Sequence, residues 1–350
     1  MQNTDKSQNP SSSLSQGENN RNSAKKKPFI PNLKKLSQNP QRLASGHRLC
    51  PGCGIGVILK QALTTIDNPV VVANATGCSE ICFSPYPQNA FKVPWIHSVF
   101  ENCSSVLSGV ESAWKSFNKR NKLTENQKKI KFLAVGGDGA TYDIGFQWLS
   151  GAIERGHDFT YICFDNEGYM NTGYQRSSAT TVGFATHTSP VGKKIVGKLQ
   201  HRKNLTRIMA AHNAPYVAQI NPANSFDLMK KAKKAFETKG PSFLNAFSMC
   251  PTNWKYSSEQ GIDISALATE SGLWPLYEVH HGKWKITYKP KASKTYREKN
   301  EPLEKFLSMQ GRTKHLLKPE NREILQDLMN QIADDWDYLL KMEEAFPLNS

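Results

Sequence analysis

The sequence predicts an α/β protein, with a mostly parallel β-sheet covered by helices on both faces. Three observations carry this expectation. Short apolar runs alternate with segments of helical periodicity from Cys50 to Ser248, the pattern of strand-helix-strand units. One run, "KIKFLAV", is a buried strand ending in the glycine turn Gly136–Gly139, the kind of position where such sheets bind ligands. The 350 residues are 38% hydrophobic and 10% aromatic, enough for one large α/β domain with a substantial core.

The elements follow in order. "VILKQAL" (57–63) reads as a helix behind a glycine-rich turn, and "NPVVVANATG" (68–77) as a strand running into a polar loop. "ENCSSVLSGVESAWKSF" (101–117) has apolar residues at helical spacing, and "GFQWLSGAIERG" (145–156) continues the buried strand as a helix. "DFTYICFDNEGY" (158–169) is another strand and loop, followed by "APYVAQI" (214–220), the helical "SFDLMKKAKKAFE" (225–237) and "PSFLNAFS" (241–248). Residues 281–322 break the alternation and read as an arm against a partner subunit. "REILQDLMNQIADDWDYLLKMEEAF" (322–346) reads as a surface helix.

Charge narrows the function classes. The net charge is +15, of which residues 1–48 carry +7 and residues 281–322 carry +8, leaving the remainder balanced. A nucleic-acid binder would be basic throughout, so no nucleic acid is expected as partner. Basic ends can instead steer an acidic protein. The Ser/Asn/Gln-rich residues 1–28 lack the apolar content to offset ordering entropy and read as a solvated tail. No run reaches 18 apolar residues, so no membrane span is expected. The N-terminus has no apolar core of a signal peptide. Seven widely spread cysteines do not resemble a disulfide framework. A cytoplasmic location is expected.

Two motifs carry chemistry. Cys50-Pro51-Gly52-Cys53-Gly54 sets two thiols three positions apart; alone it is open to a disulfide, a zinc half-site, a redox dithiol or an iron–sulfur half-site. In Gly136-Gly137-Asp138-Gly139 the glycines let backbone approach a phosphate, while Asp138 can hold a hard cation. Asn166 follows 28 residues later at the end of the next strand. Oxygen ligands after two successive strands can meet on one Mg²⁺ whose other positions are filled by carbonyls and a diphosphate.

The stretch "GDGATYDIGFQWLSGAIERGHDFTYICFDNEGYMNTGYQRS" resembles the thiamine-diphosphate motif of 2-oxoacid:ferredoxin oxidoreductases, in particular the beta subunit of the pyruvate enzymes. The resemblance spans roughly residues 45 to 318 and includes "CPGCG", "NATGC", "CPTNW" and "PLEKFLSMQGRTKHL" in the family's order. It implies a thiamine-diphosphate-binding fold with a C-terminal extension. Thiamine diphosphate would be bound at Gly137, Asp138 and Gly139, with Mg²⁺ on Asp138, Asn166 and the Gly168 carbonyl. Asn171 would face the substrate carbonyl. The resemblance also answers the question of the paired thiols: it implies one [4Fe-4S] cluster on Cys50, Cys53, Cys78 and Cys250. Gly52, Gly54 and Gly77 are expected to leave room for its inorganic core. Four-cysteine zinc shares this ligand set; the neighbouring thiamine, which needs an electron outlet, argues for iron. Cys82, one helical turn from Cys78, is expected to be packing, as are Cys103 and Cys163. His97 is a candidate diphosphate contact or a satisfied core histidine.

The implied function is oxidative decarboxylation of pyruvate to acetyl-coenzyme A and CO₂, with electrons passed to ferredoxin or flavodoxin. Alpha-, gamma- and delta-type subunits complete the enzyme, one supplying the glutamate that activates thiamine, so no general base is assigned here. Branched-chain 2-oxoacids and 2-oxoglutarate are alternative substrates. A non-redox thiamine decarboxylase and a basic zinc-binding interaction protein are the rival classes. The expected organisation is a disordered extension over 1–40, a cofactor domain over 45–255, a subunit-contacting arm over 256–322 and a C-terminal helix over 323–350.

Overall fold

In a computed structural model, which describes residues 29–85, 89–291, 296–298 and 300–348, the chain forms one eight-stranded sheet. The strands are β1 (Val70–Ala75), β2 (Trp95–Ser98), β3 (Lys131–Gly137), β4 (Thr160–Asp165), β5 (Tyr216–Ile220), β6 (Ser242–Phe247), β7 (Leu276–His280) and β8 (Lys283–Tyr288). Their order is β2-β1-β3-β4-β6-β5-β7-β8. The first six pair in parallel, and β7 and β8 complete the edge in antiparallel fashion.

Strand alternation divides the core into two layers. Ala73 and Ala75, Phe132 and Ala134, Tyr161 and Cys163, and Phe243 and Phe247 enter one apolar cluster. Their neighbours Val70 and Val72, Leu133 and Val135, Ile162 and Phe164, and Leu244 and Ala246 enter the other. Successive side chains point to opposite faces, so a strand buried on both sides is apolar throughout. Cys163 is therefore strand core, as expected. Cys103 is also fully buried, at the start of the Cys103–Lys119 helix, with its thiol 3.5 Å from the Tyr161 hydroxyl.

The chain turns in opposite senses after β1 and after β3: β1 leads to the outer edge, whereas β3 leads inward to β4. A crevice at the carboxyl ends of adjacent strands opens where connections diverge in this way. That crevice holds the site described below.

The C-terminal third departs from the sequence expectation. Pro31–Ser350 forms one compact unit, so no domain boundary falls near residue 255, and residues 31–40 belong with the body. The remainder of the expected extension, residues 1–28, lies outside the described residues. Arg42, nearly fully buried, donates to the Leu63, Ile66 and Asn68 carbonyls and ties the incoming chain to the Gly54–Leu63 helix and the turn after it. Residues 281–322, expected as an arm, return to the chain's own core where they are described. β8 pairs with β7, and the Glu301–Ser308 helix buries Leu303, Phe306 and Leu307.

The hairpin was legible. "HG" at 281–282 joins β7 to β8 with both residues at positive φ, 47° and 75°, the requirement of a two-residue turn that matches strand twist. "KWKITY" also alternates polar and apolar residues. Two of the segment's cations have partners within the chain. Lys289 pairs with Glu343 at 2.8 Å, and Arg297 with Asp334 and Asp337 at 2.8 and 2.9 Å, all three acids on the Arg322–Ala345 helix. That helix is more than a surface element, since Leu328, Ile332, Trp336 and Leu339 are buried.

Candidate active site

A cavity of about 240 Å³ opens at the carboxyl ends of β1, β3 and β4. Thr76, Gly77 and Cys78 line it from the loop after β1, Gly137 and Gly139 from the end of β3, and Asn166, Gly168 and Asn171 from the loop after β4. Ile55, Phe100 and Met170 supply apolar walls, and no carboxylate is among the lining residues.

Asp138 sits beneath the cavity, fully buried, where a turn of π-helix begins. Such turns are uncommon and gather at functional sites. Ser177 Oγ donates to Asp138 Oδ2 at 2.5 Å, and the Asn166 N–H points at Oδ1 from 3.4 Å. No ion-pair partner for Asp138 occurs among the described residues. Burial, and then the neighbouring Asp165, push its pKa well above the usual carboxylate range, with the Ser177 hydrogen bond opposing. A bound cation would remove that penalty.

The Asn166 amide has two possible orientations, with different meanings. With its nitrogen turned toward the loop, it donates to Asp138 Oδ1 at 2.7 Å and to the Gly168 carbonyl at 2.9 Å. In the other orientation its oxygen takes that place, and three oxygens face one another with no proton between them. Oxygens about 3 Å apart form the edges of an octahedron around a cation held at 2.0–2.1 Å. Asp138, Asn166 and Gly168, the residues expected at Mg²⁺, thus lie within hydrogen-bonding distance of one another, and Trp254 Nε1 donates to the Asn166 main-chain carbonyl at 3.0 Å.

The thiols come together from three separate segments. Cys50 is exposed, Cys53 and Cys78 are partly buried, and Cys250 is buried. Burial raises the pKa of Cys53, Cys78 and Cys250, that of Cys78 to about 12. Cys53 interacts electrostatically with Cys250, Cys78 and Cys50, and Cys78 with Cys250, Cys82 and Cys50. Protonated thiols gain nothing from this crowding; thiolates on a cationic iron core would. Among the described residues no three His, Cys, Asp or Glu side chains are arranged as a single-ion site. Asn171 and Cys78 line the same cavity, so the candidate substrate contact and a candidate cluster ligand face one space.

The glycines of the thiol turn serve a purpose other than the one expected. Gly52 has φ +81°, and a Cβ there would stand 2.6 Å from the Ser258 carbonyl oxygen. A Cβ on Gly54 would stand 2.8 Å from the Met249 backbone nitrogen. The room they leave is for the backbone of the segment carrying Cys250. Gly54 N–H donates to the Met249 carbonyl at 3.0 Å and the Tyr256 hydroxyl to the Gly52 carbonyl at 3.2 Å. Gly77 does leave open space, with no atom within 4 Å of a Cβ placed there. Gly52→Ala should therefore lower iron and sulfide per chain without removing any thiol, at a cost of about 1–3 kcal/mol. Metal and sulfide analysis beside the thiamine content would check this, and full iron in the variant would contradict it.

His97 is not among the lining residues. Its ring lies 3.1 Å from Thr76 Oγ1 and 3.3 Å from Glu80 Oε1, so it meets the cavity only through Thr76.

Sequence reasoning missed the support behind the loop. Glu167, between Asn166 and Gly168, is fully buried at φ +64°, a conformation that costs energy unless its surroundings impose it. Arg312 Nη2 stands 2.5 Å from Glu167 Oε2, and Thr181 Oγ1 donates to Oε1 at 2.6 Å. Arg202 bridges Asp165 at 2.5 Å and Glu167 at 3.4 Å. A buried "GRT" after a helix was the available signal, but nothing local ties it to a loop so distant in sequence. Arg312→Ala removes the close cation from the buried Glu167 and leaves it only the longer Arg202 contact and the Thr181 hydroxyl. It should destabilise the fold by about 3–5 kcal/mol, whereas pairing Arg312→Met with Glu167→Gln should recover much of that. Chemical denaturation of the purified complex measures both, and equal losses in the two variants would refute the pairing.

Comparison with known proteins places these features. Residues 75–246 match the C-terminal thiamine pyrophosphate-binding domain of thiamine pyrophosphate enzymes. Cys78 falls inside that match, whereas Cys50, Cys53 and Cys250 flank it. The chain is 44% identical over 322 residues to pyruvate synthase subunit PorB of Thermotoga maritima, covering 90% of this chain and 97% of that protein. It is 47% identical over 274 residues to the subunit of the same name from Methanocaldococcus jannaschii, covering 78% and 89%. Among solved structures it is similar to the 2-oxoglutarate:ferredoxin oxidoreductase of Magnetococcus marinus with 2-oxoglutarate, coenzyme A and succinyl-CoA bound. That likeness has 25% identity and a TM-score of 0.50, and covers 61% of this chain and 67% of the other.

Proposed function

Because the chain belongs to the PorB family of pyruvate synthase subunits, within the thiamine-dependent 2-oxoacid:ferredoxin oxidoreductases, we propose that it binds thiamine diphosphate through Mg²⁺ and carries one [4Fe-4S] cluster in a pyruvate-oxidising complex. The observation that carries this reading is the set of Asp138, Asn166 and Gly168 oxygens beneath a cavity whose rim includes Cys78.

When bound, thiamine supplies the chemistry that breaks the bond between a 2-oxo carbon and its carboxylate, and the cluster accepts electrons singly. Asp138, Asn166 and the Gly168 carbonyl would hold Mg²⁺. Backbone at Gly137 would approach the diphosphate closely, since nothing lies within 4 Å of a Cβ placed there, whereas at Gly139 that space is taken by the Tyr169 ring. Phe100, Met170 and Ile55 exclude water on one side. The Asn171 amide would orient the substrate carbonyl in the cavity that Cys78 also lines, which keeps the reacting carbon near the electron acceptor. Cys50, Cys53, Cys78 and Cys250 would ligate the irons.

The cavity wall holds no carboxylate, in keeping with a glutamate supplied by another subunit to activate thiamine. Alpha-, gamma- and delta-type subunits, coenzyme A, and ferredoxin or flavodoxin are the proposed partners, in the cytoplasm. No helix among the described residues is long and apolar enough to cross a membrane.

The deciding experiment is anaerobic purification with the partner subunits, followed by measurement of iron, sulfide and thiamine diphosphate. Ferredoxin reduction is then assayed with pyruvate, 2-oxoisovalerate and 2-oxoglutarate. Four irons per chain, one thiamine and the highest kcat/KM on pyruvate are expected. Zinc in place of iron would end the redox reading, and preference for another 2-oxoacid would end the assignment of pyruvate.

A further inference from the structure

A second cavity, of about 470 Å³, lies between the loop of residues 174–191, the Pro251–Trp254 helix and residues 311–318. It shares no lining residue with the first. Its lining is one-sided in charge: Lys255, Lys314 and Lys318 are exposed on it, Arg312 is buried in it, and no carboxylate takes part. Lys318 faces Glu320 loosely at 3.8 Å. Lys255 and Lys314 have no ion pair among the described residues.

The buried part of the wall also lacks acceptors. Asn253 is only 5% exposed, yet its Nδ2 has no hydrogen-bond partner. Arg312 is 2% exposed, stacks 3.8 Å from the Trp254 ring centre, and leaves Nη1 without a hydrogen bond. His315 meets the Gly183 carbonyl through Nε2 at 3.0 Å, and burial lowers its pKa, so it adds no charge. Buried donors without partners are rare and ask for an explanation. Backbone geometry holds the arrangement in place. Lys255 adopts φ +55°, and the Gly311 N–H donates to its carbonyl at 3.2 Å. A Cβ on Gly311 would press to 2.7 Å from Lys255 Cβ, so only glycine lets the two segments meet.

Convergent cations and unmet donors call for an anion with several acceptor oxygens. A volume of several hundred Å³ suits a small molecule. A flat acidic protein surface would meet the exposed lysines but not Asn253 or Arg312. Two uncommitted ammonium groups, with Arg312 shared by Glu167, favour a phosphate over a single carboxylate. We propose that this cavity binds a phosphate-bearing small molecule, with Lys255 and Lys314 as its exposed cations and Asn253 Nδ2 and the Arg312 guanidinium as its buried donors.

The test titrates the anaerobic complex, already saturated with thiamine diphosphate and Mg²⁺, with inorganic phosphate at constant ionic strength, by calorimetry. Wild type should show saturable binding that Lys255→Gln/Lys314→Gln weakens at least about tenfold, the loss of two charge-assisted contacts. Both lysines are exposed, so thiamine content and thermal midpoint should hold, and a Lys230→Gln control should bind as wild type. Coenzyme A and ATP then serve as competitors; displacement by either supports the site and shows which kind of molecule carries the phosphate. Unaltered binding by the double variant would overturn the proposal. So would phosphate binding seen only after a partner subunit is removed, since the cavity would then be a subunit contact.

Discussion

Asp138→Ala should strip thiamine diphosphate from the purified complex while leaving its iron in place. Asp138 is fully buried, and Ser177 is its main hydrogen-bond donor. Its burial and the nearby Asp165 disfavour the charged form, so the fold keeps a carboxylate where it is costly. Mg²⁺ would offset that cost and bridge the carboxylate to the diphosphate. Alanine leaves only neutral oxygens, from Asn166 and Gly168, for a dication. A loss of at least about 100-fold in thiamine affinity, near 2.7 kcal/mol, is expected. Asp138→Asn should fail almost as badly, because shape is preserved but charge is not. Thiamine content at fixed Mg²⁺ reads the result beside iron content and the unfolding midpoint. Tight thiamine binding by the folded alanine variant would remove Asp138 from the metal site, and with it the main support for the cofactor assignment.

Cys250→Ala should remove the cluster or convert it to a three-iron form, whereas Cys82→Ala should leave four irons. The two cysteines compete for one place in the ligand set. Cys82 lies on the same short helix as Cys78, Cys78–Phe83, one turn on, and interacts with Cys50. Cys250 lies 172 residues beyond Cys78 in the chain, yet it is buried against Cys53 and Cys78 and caps the Pro251–Trp254 helix. Thiolate near backbone N–H groups is favoured, and the Cys250 sulfur is approached by the Thr252 and Asn253 backbones as well as the Thr252 hydroxyl at 3.4 Å. Iron and sulfide analysis with electron paramagnetic resonance of the reduced complex distinguishes the variants. The opposite outcome, iron lost in Cys82→Ala and kept in Cys250→Ala, would make the ligands Cys50, Cys53, Cys78 and Cys82.

Both experiments bear on how the cofactor sites are built. The matched thiamine-binding segment ends at residue 246, and three of the four candidate cluster cysteines lie on its flanks. Two chain segments outside the matched range, which carry Cys50, Cys53 and Cys250, are pressed together at Gly52 against Ser258 and at Gly54 against Met249. A defect in that packing should cost iron before it costs thiamine.

The sequence by itself determined what depends on neighbours along the chain. Short continuous apolar runs such as "KFLAV" and "YICFD", bounded by turn residues, read as strands covered on both sides. The loops after them hold Asp138, Asn166 and Gly168, and those three residues come together in one crevice. The two-residue "HG" turn was equally local, though the basic composition around it suggested an arm instead. Tertiary structure alone decided the rest. Two cations of residues 281–322, Lys289 and Arg297, meet acids of the chain's own last helix. Arg312 underpins Glu167 across the fold, and the thiol-turn glycines face backbone that sequence spacing cannot place. The physical reason is range: periodicity and turn chemistry act over a few residues, while ion pairing and close backbone approach depend on which distant segments the core brings together.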